Sequence, residues 1–123
     1  GAYDQAERIF SRLLSFAPAT DLAIVNLAGL LMRRGDVEGA ELEIRKILEV
    51  DAKHVPARLT LARAKLAVGD FGAALDEARI ALKIEPNRAE THGIMAAAYR
   101  GLGENDAAAE HERRAASAGA PPK

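Results

Sequence analysis

The 123-residue sequence predicts an all-α fold, a solenoid of antiparallel helix pairs with about seven helices. Three observations carry this expectation. The first is an internal period of 34 residues: Gly35, Gly69 and Gly103 superpose, as do Ala40, Ala74 and Ala108. A unit repeated at this spacing is one supersecondary element that buries its apolar face by stacking on copies of itself. The second is helical periodicity, since Ile24, Leu27, Ala28 and Leu31 fall at i, i+3, i+4 and i+7 and so share one face. The third is composition: the chain is 49% hydrophobic but only 4% aromatic, which suits closely packed helices rich in Ala and Leu better than a β-sandwich.

The elements follow in chain order. Residues 1–20 carry Tyr3, Ala6, Phe10, Leu13, Leu14 and Pro18 at the spacing of a second helix alone, so the chain reads as opening inside a repeat with half a unit. The unit 21–54 begins with the helix of Ile24 to Leu31. Arg33 and Arg34 suit the negative end of its dipole, and Gly35 can take the left-handed conformation that closes a helix. Asp36 then offers an N-cap to a second helix with Val37, Ala40, Ile44, Ile47 and Leu48 inward, ending near Asp51. The unit 55–88 repeats the plan with Leu61 and Ala62, then Gly69 and Asp70, then Ala74, Ala78, Ala81 and Leu82. Pro86 stops its second helix, because proline cannot continue the hydrogen-bond ladder. The unit 89–122 carries Met95, Ala96 and Tyr99, then Gly103, then Ala108, Glu112 and Ala115 on the most polar second helix, before a frayed tail at "SAGAPPK". The connections are too short to be domain boundaries, so residues 1–123 read as a single domain.

Charge and composition exclude several classes. Seventeen basic and 18 acidic residues are interspersed to a net charge of −1, which points to no nucleic-acid partner. No apolar run is long enough for a membrane span, so membrane insertion is not expected. Without cysteine there is no disulfide or thiolate metal site. Arg outnumbers Lys 12 to 5 in an alanine-rich chain, which points to a GC-rich bacterial genome. The compartment stays open between cytoplasm and periplasm, since a chain that opens mid-repeat hides any signal peptide.

Taken together, Leu27, Ala28, Gly35, Ala40 and Ile44, then Leu61, Ala62, Gly69, Ala74, Ala81 and Pro86, then Met95, Ala96, Tyr99, Gly103 and Ala108 resemble the tetratricopeptide repeat (TPR) family over nearly the whole chain. The resemblance implies a right-handed superhelical solenoid and a non-catalytic module for protein interaction. Two departures concern packing. Arg58 and Lys65 stand where the family usually places a large apolar or aromatic residue, and Ala52 and Ala120 stand where its closing proline is expected. The aliphatic stems of Arg58 and Lys65 are expected to pack while the charged heads reach solvent or acidic partners.

No catalytic constellation is found, and neither a cofactor nor a metal is expected. His54, His92 and His111 form no i, i+4 ligand pair, and "HERR" is not a zinc-protease motif. His54 and His111 read as solvated side chains, and His92 as a satisfied interior histidine. Ser11, Ser15 and Ser117 lack the glycine-flanked elbow of a nucleophile.

The resemblance implies that the first helices of successive units line a concave groove that takes a peptide or protein segment. By position its residues are Val25, Asn26 and Met32, then Leu59, Arg63 and Leu66, then Ile94 and Arg100. They form a second stripe beside the core stripe, with Gly29, Gly93, Ala97 and Gly101 leaving room between them. The family's clamp for acidic chain ends needs lysines that this chain lacks: the matching slots hold Val25, Leu59 and Gly93. Asn26 is suited to hydrogen-bonding an extended backbone, and Arg63 and Arg100 to fixing an acidic group each. The alternatives are a structural or assembly segment of a larger multi-repeat protein, or a regulatory repeat region attached to an enzyme. Finally, the uncovered apolar face of the half unit, with Phe10 and Leu13, is expected to form a weak homodimer through the N-terminal helix.

Overall fold

The computed structural model describes Gln5 and residues 21–118, and residues 21–118 form six helices. These are α1 (Asp21–Arg34), α2 (Val37–Val50), α3 (Val55–Ala67), α4 (Phe71–Ile84), α5 (Ala89–Gly101) and α6 (Asn105–Ala118). Apart from Gln5, the helix expected over 1–20 lies outside the described residues, as do the dimer expected through it and Ala120.

The same hinge recurs three times. Gly35, Gly69 and Gly103 have φ of 94°, 79° and 80°, the left-handed region that a side chain disfavours. At the first hinge the Gly35 amide donates to the Met32 carbonyl (3.0 Å) and the Asp36 amide to the Leu31 carbonyl (2.7 Å), the paired bonds of a Schellman motif. Gly69 with Asp70 and Gly103 with Glu104 repeat it. The next helix then starts at once: Asp36 Oδ1 accepts from the Gly39 amide (2.9 Å), and Asp70 Oδ1 from the Ala73 amide (3.2 Å). Two orphan carbonyls and an orphan amide are thus satisfied within a two-residue turn, which folds each pair of helices back antiparallel.

Between units the chain turns differently. The helix α2 ends at Asp51, whose carboxylate accepts from the Lys53 amide (3.1 Å), so a local side-chain turn stands where a proline was expected. After α4, Pro86 performs the stop as expected. His54 corrects its solvated reading, because it is the N-cap of α3 and its Nδ1 accepts from the Ala57 amide (3.1 Å). An imidazole nitrogen does there what a carboxylate does at Asp36.

Each apolar core is built from a hairpin and the first helix of the next. One joins Ile24, Leu27 and Leu31 of α1 with Ala40, Ile44 and Ile47 of α2 and with Ala57 and Leu61 of α3. The other joins Val55, Leu59 and Ala62 of α3 with Ala74, Leu75 and Ala78 of α4 and with Ile94, Met95 and Ala98 of α5. Because α3 serves both cores, it is buried on two faces. Arg58 and Lys65 behave as expected on this crowded helix: Arg58 Nη1 donates to Glu77 Oε2 (2.9 Å) on α4, and Lys65 Nζ to Glu41 Oε1 (3.0 Å) on α2. Among the described residues α1 touches α3 and α3 touches α5, whereas second helices do not touch one another. The first helices therefore form the inner, concave wall and the second helices the outer one.

Candidate functional site

Two depressions open on the inner wall. One, of ≈ 360 Å³, lies between α1 and α3, with Val25, Asn26, Gly29 and Met32 on one side and Thr60 and Arg63 on the other. The second, of ≈ 580 Å³, lies between α3 and α5, with Arg63 and Leu66 facing Glu90, Gly93, Ile94 and Ala97. Arg63 lines both, so the two are continuous through its side chain. The room comes from glycine: a Cβ added at Gly29 or Gly93 would meet nothing within 4 Å.

The polar groups are few. The Arg63 guanidinium pairs with the Glu90 carboxylate across the second depression, and their side chains are 46% and 36% exposed. A guanidinium has five N–H donors, so one carboxylate leaves several of them facing the groove. Thr60 is buried, and its hydroxyl donates to the Pro56 carbonyl (2.8 Å), which leaves the wall apolar there. Arg33 at the edge of the first depression is exposed. Arg33, Arg63 and Glu90 give the groove an excess of one positive charge.

Six of the eight residues picked from the sequence meet here. Val25, Asn26, Met32 and Arg63 line the first depression, while Arg63, Leu66 and Ile94 line the second. Two do not. Leu59 is 0% exposed and sits in the core with Ala62, Ala74 and Ile94, so it is a packing residue. Its position is the one where α3 is pressed against α5, and an apolar side chain there turns inward. Arg100 lines neither depression, because its Nε donates to Glu112 Oε1 (2.9 Å) on α6. Gly101, expected to leave room, is filled: an added Cβ would run into the Phe71 ring. Glu90 was missed as a partner for Arg63; the signal was an opposite charge at the foot of the next first helix, usable only once the stacking register is known.

His92 is buried as expected, but His111 is not solvated. It is half-buried, with its ring 5.3 Å from that of His92 and 5.4 Å from that of Tyr99. Among the described residues no group of three or more His, Cys, Asp or Glu is placed to hold a metal ion, and no helix is long and apolar enough to cross a membrane.

Stacked helical hairpins with an open inner wall define a helical-repeat protein. A family model described as tetratricopeptide repeat matches residues 1–64, and the chain belongs to that family, whose fold is that of a protein–protein interaction module. Solved structures agree on the fold. The chain is similar to TTC0263, a thermophilic TPR protein of Thermus thermophilus, with a TM-score of 0.87 at 23% identity, over 95% of this chain and 66% of that one. It is also similar to MamA of AMB-1, with a TM-score of 0.77 at 25% identity over 96% of this chain and 70% of that one. SycD of Yersinia enterocolitica, a type III secretion translocator chaperone, gives a TM-score of 0.74 at 17% identity over 81% and 77% of the two chains.

Proposed function

We propose that the chain is a non-catalytic adaptor that binds an extended segment of a partner protein along the inner wall, organised as the repeats 21–54, 55–88 and 89–122. The observation that carries this reading is the pair of depressions joined through Arg63, apolar at Val25, Met32, Leu66 and Ile94 and held open by Gly29 and Gly93. Apolar side chains of a ligand would fill the depressions and Asn26 would bond its backbone, while Arg33 and Arg63 would favour an acidic group between them. The apolar contacts would provide most of the affinity and the charges the selection.

The test is site-specific photo-crosslinking in cells. A photoreactive residue at Met32 or Leu66 should capture a discrete protein partner, and one at Leu42, an exposed residue of α2 outside both depressions, should not. Capture from Leu42 alone would move the binding surface to the outer wall and refute the groove.

A further inference from the structure

The contact between His92 and His111 has a chemistry that helix packing does not require. His92 on α5 is 5% exposed, and its Nε2 lies 3.3 Å from the Pro86 carbonyl oxygen. A carbonyl only accepts, so that nitrogen carries the proton and donates it. Neutral His92 then has a bare Nδ1, which lies 3.0 Å from Nδ1 of His111 on α6. His111 is therefore the donor of that bond, and its Nε2 is left as the free nitrogen of the pair.

This bond is one of few polar ties on a helix that packs closely along α5 but buries little apolar surface. The helix α6 places a single residue, Ala108, fully in the core, where α4 places Ala74, Leu75, Ala78 and Ala81. The His111 ring also stacks on Tyr99 of α5, and the Arg100–Glu112 ion pair, whose side chains are about half exposed, is open to screening by salt.

We propose that His92 and His111 form an acid-sensitive latch, which holds α6 on α5 at neutral pH and lets it open when the medium acidifies. The first added proton goes to His111 Nε2 and leaves the Nδ1 bond intact, but it places an imidazolium, half-buried, against His92. The surroundings oppose it. Arg79 of α4 and Arg114 of α6 both act on His111 with positive charge, Tyr99 of α5 is uncharged, and Arg100 of α5 is engaged by Glu112. The neighbouring carboxylate, Glu110, is already held by Arg113 and Arg114. Burial first, then His92 and Arg114, hold the His111 imidazole below the usual histidine range. A second proton, on His92 Nδ1, would set two N–H groups facing each other at 3.0 Å. The open state therefore binds more protons than the docked one. Docking is at full strength above the ordinary histidine value of about 6.5 and weakens as pH falls through it.

Amide hydrogen exchange on the whole chain tests the latch, with rates corrected for the intrinsic effect of pH. Between about pH 7.5 and about pH 5.5, protection over residues 105–118 should fall, and by clearly more than in α1 to α4, which should change less than about twofold. His111→Phe keeps a ring on Tyr99 and removes the titration, so its α6 protection should not depend on pH. Imidazole nitrogen NMR of the unaltered chain gives a second reading, with His111 titrating below the ordinary histidine value of about 6.5. Unchanged α6 protection, equal loss in every helix, a persistent pH effect in His111→Phe, or a His111 titration at or above about 6.5 would each overturn the latch.

Discussion

Lys65 on α3 and Glu41 on α2 form an ion pair of 3.0 Å at the register position where the next junction holds Leu75 of α4 and Tyr99 of α5. One period of 34 residues separates each member from its counterpart, so the same stacking contact is made once by charge and once by apolar burial. Both charged side chains are about a fifth exposed. Glu41→Gln leaves an ammonium half-buried without its counter-charge and is expected to destabilise by about 1 to 2 kcal/mol. Replacing both, with Glu41→Leu and Lys65→Tyr, copies the second junction and is expected to be neutral or stabilising. Urea denaturation of Glu41→Leu and Lys65→Tyr, singly and together, measures the coupling; strict additivity would mean that the pair contributes nothing to stacking.

Glycines at two sites on α5 should respond oppositely to alanine. At Gly101 the new Cβ would collide with the Phe71 ring, so Gly101→Ala should destabilise by about 1 to 3 kcal/mol as the ring is pushed from its seat. Gly93 has open space around it inside a helix, and Gly93→Ala should stabilise by about 0.5 to 1 kcal/mol through helix propensity. Thermal melts of the two variants check this, and a loss of stability at Gly93 would show that its space is needed by the fold.

Ala74 is 0% exposed in the core that α4 shares with α3 and α5. Ala74→Leu should cost about 1 to 3 kcal/mol by overpacking. An unchanged denaturation midpoint would mean that these helices are less tightly packed than this burial implies.

Leu59 and Leu66 lie on one helix seven residues apart and should part company under charge. Leu59→Glu puts a carboxylate into the second core and should unfold the domain, whereas Leu66 lines a depression and Leu66→Glu should retain the fold. Circular dichroism at 25 °C separates the outcomes, since helical signal should be lost only in the first.

The repeat made much of the fold legible. Gly35 and Gly69 stand one residue before a capping aspartate, and local chemistry of that kind is written in adjacent residues. The groove was legible at Val25, Met32 and Leu66, which rest on the cores from their edges and stay partly open to the inner wall. It was not legible at Leu59, because how far a position on α3 is covered depends on the stacking of α4 and α5, which enclose Leu59 fully and leave Leu66 at the edge. Arg100 and His111 were misread for another reason: their partners, Glu112 and His92, lie across a hairpin at separations of 12 and 19 residues. Helical periodicity places each on a face, but the contact depends on the rotation of α6 on α5, which no single helix encodes.

The most direct measurement is the affinity of the partner captured at Met32 or Leu66 for Arg63→Glu, compared with Arg113→Glu on the exposed side of α6. Arg63 joins the two depressions and is half exposed, so reversing its charge leaves the core intact and meets Glu90 with like charge in the groove. Arg63→Glu should weaken binding by about tenfold or more, the scale of losing one charge-assisted contact, with an unchanged melting profile, and Arg113→Glu should bind as the parent does. Equal affinity of all three proteins would contradict a binding site on the inner wall.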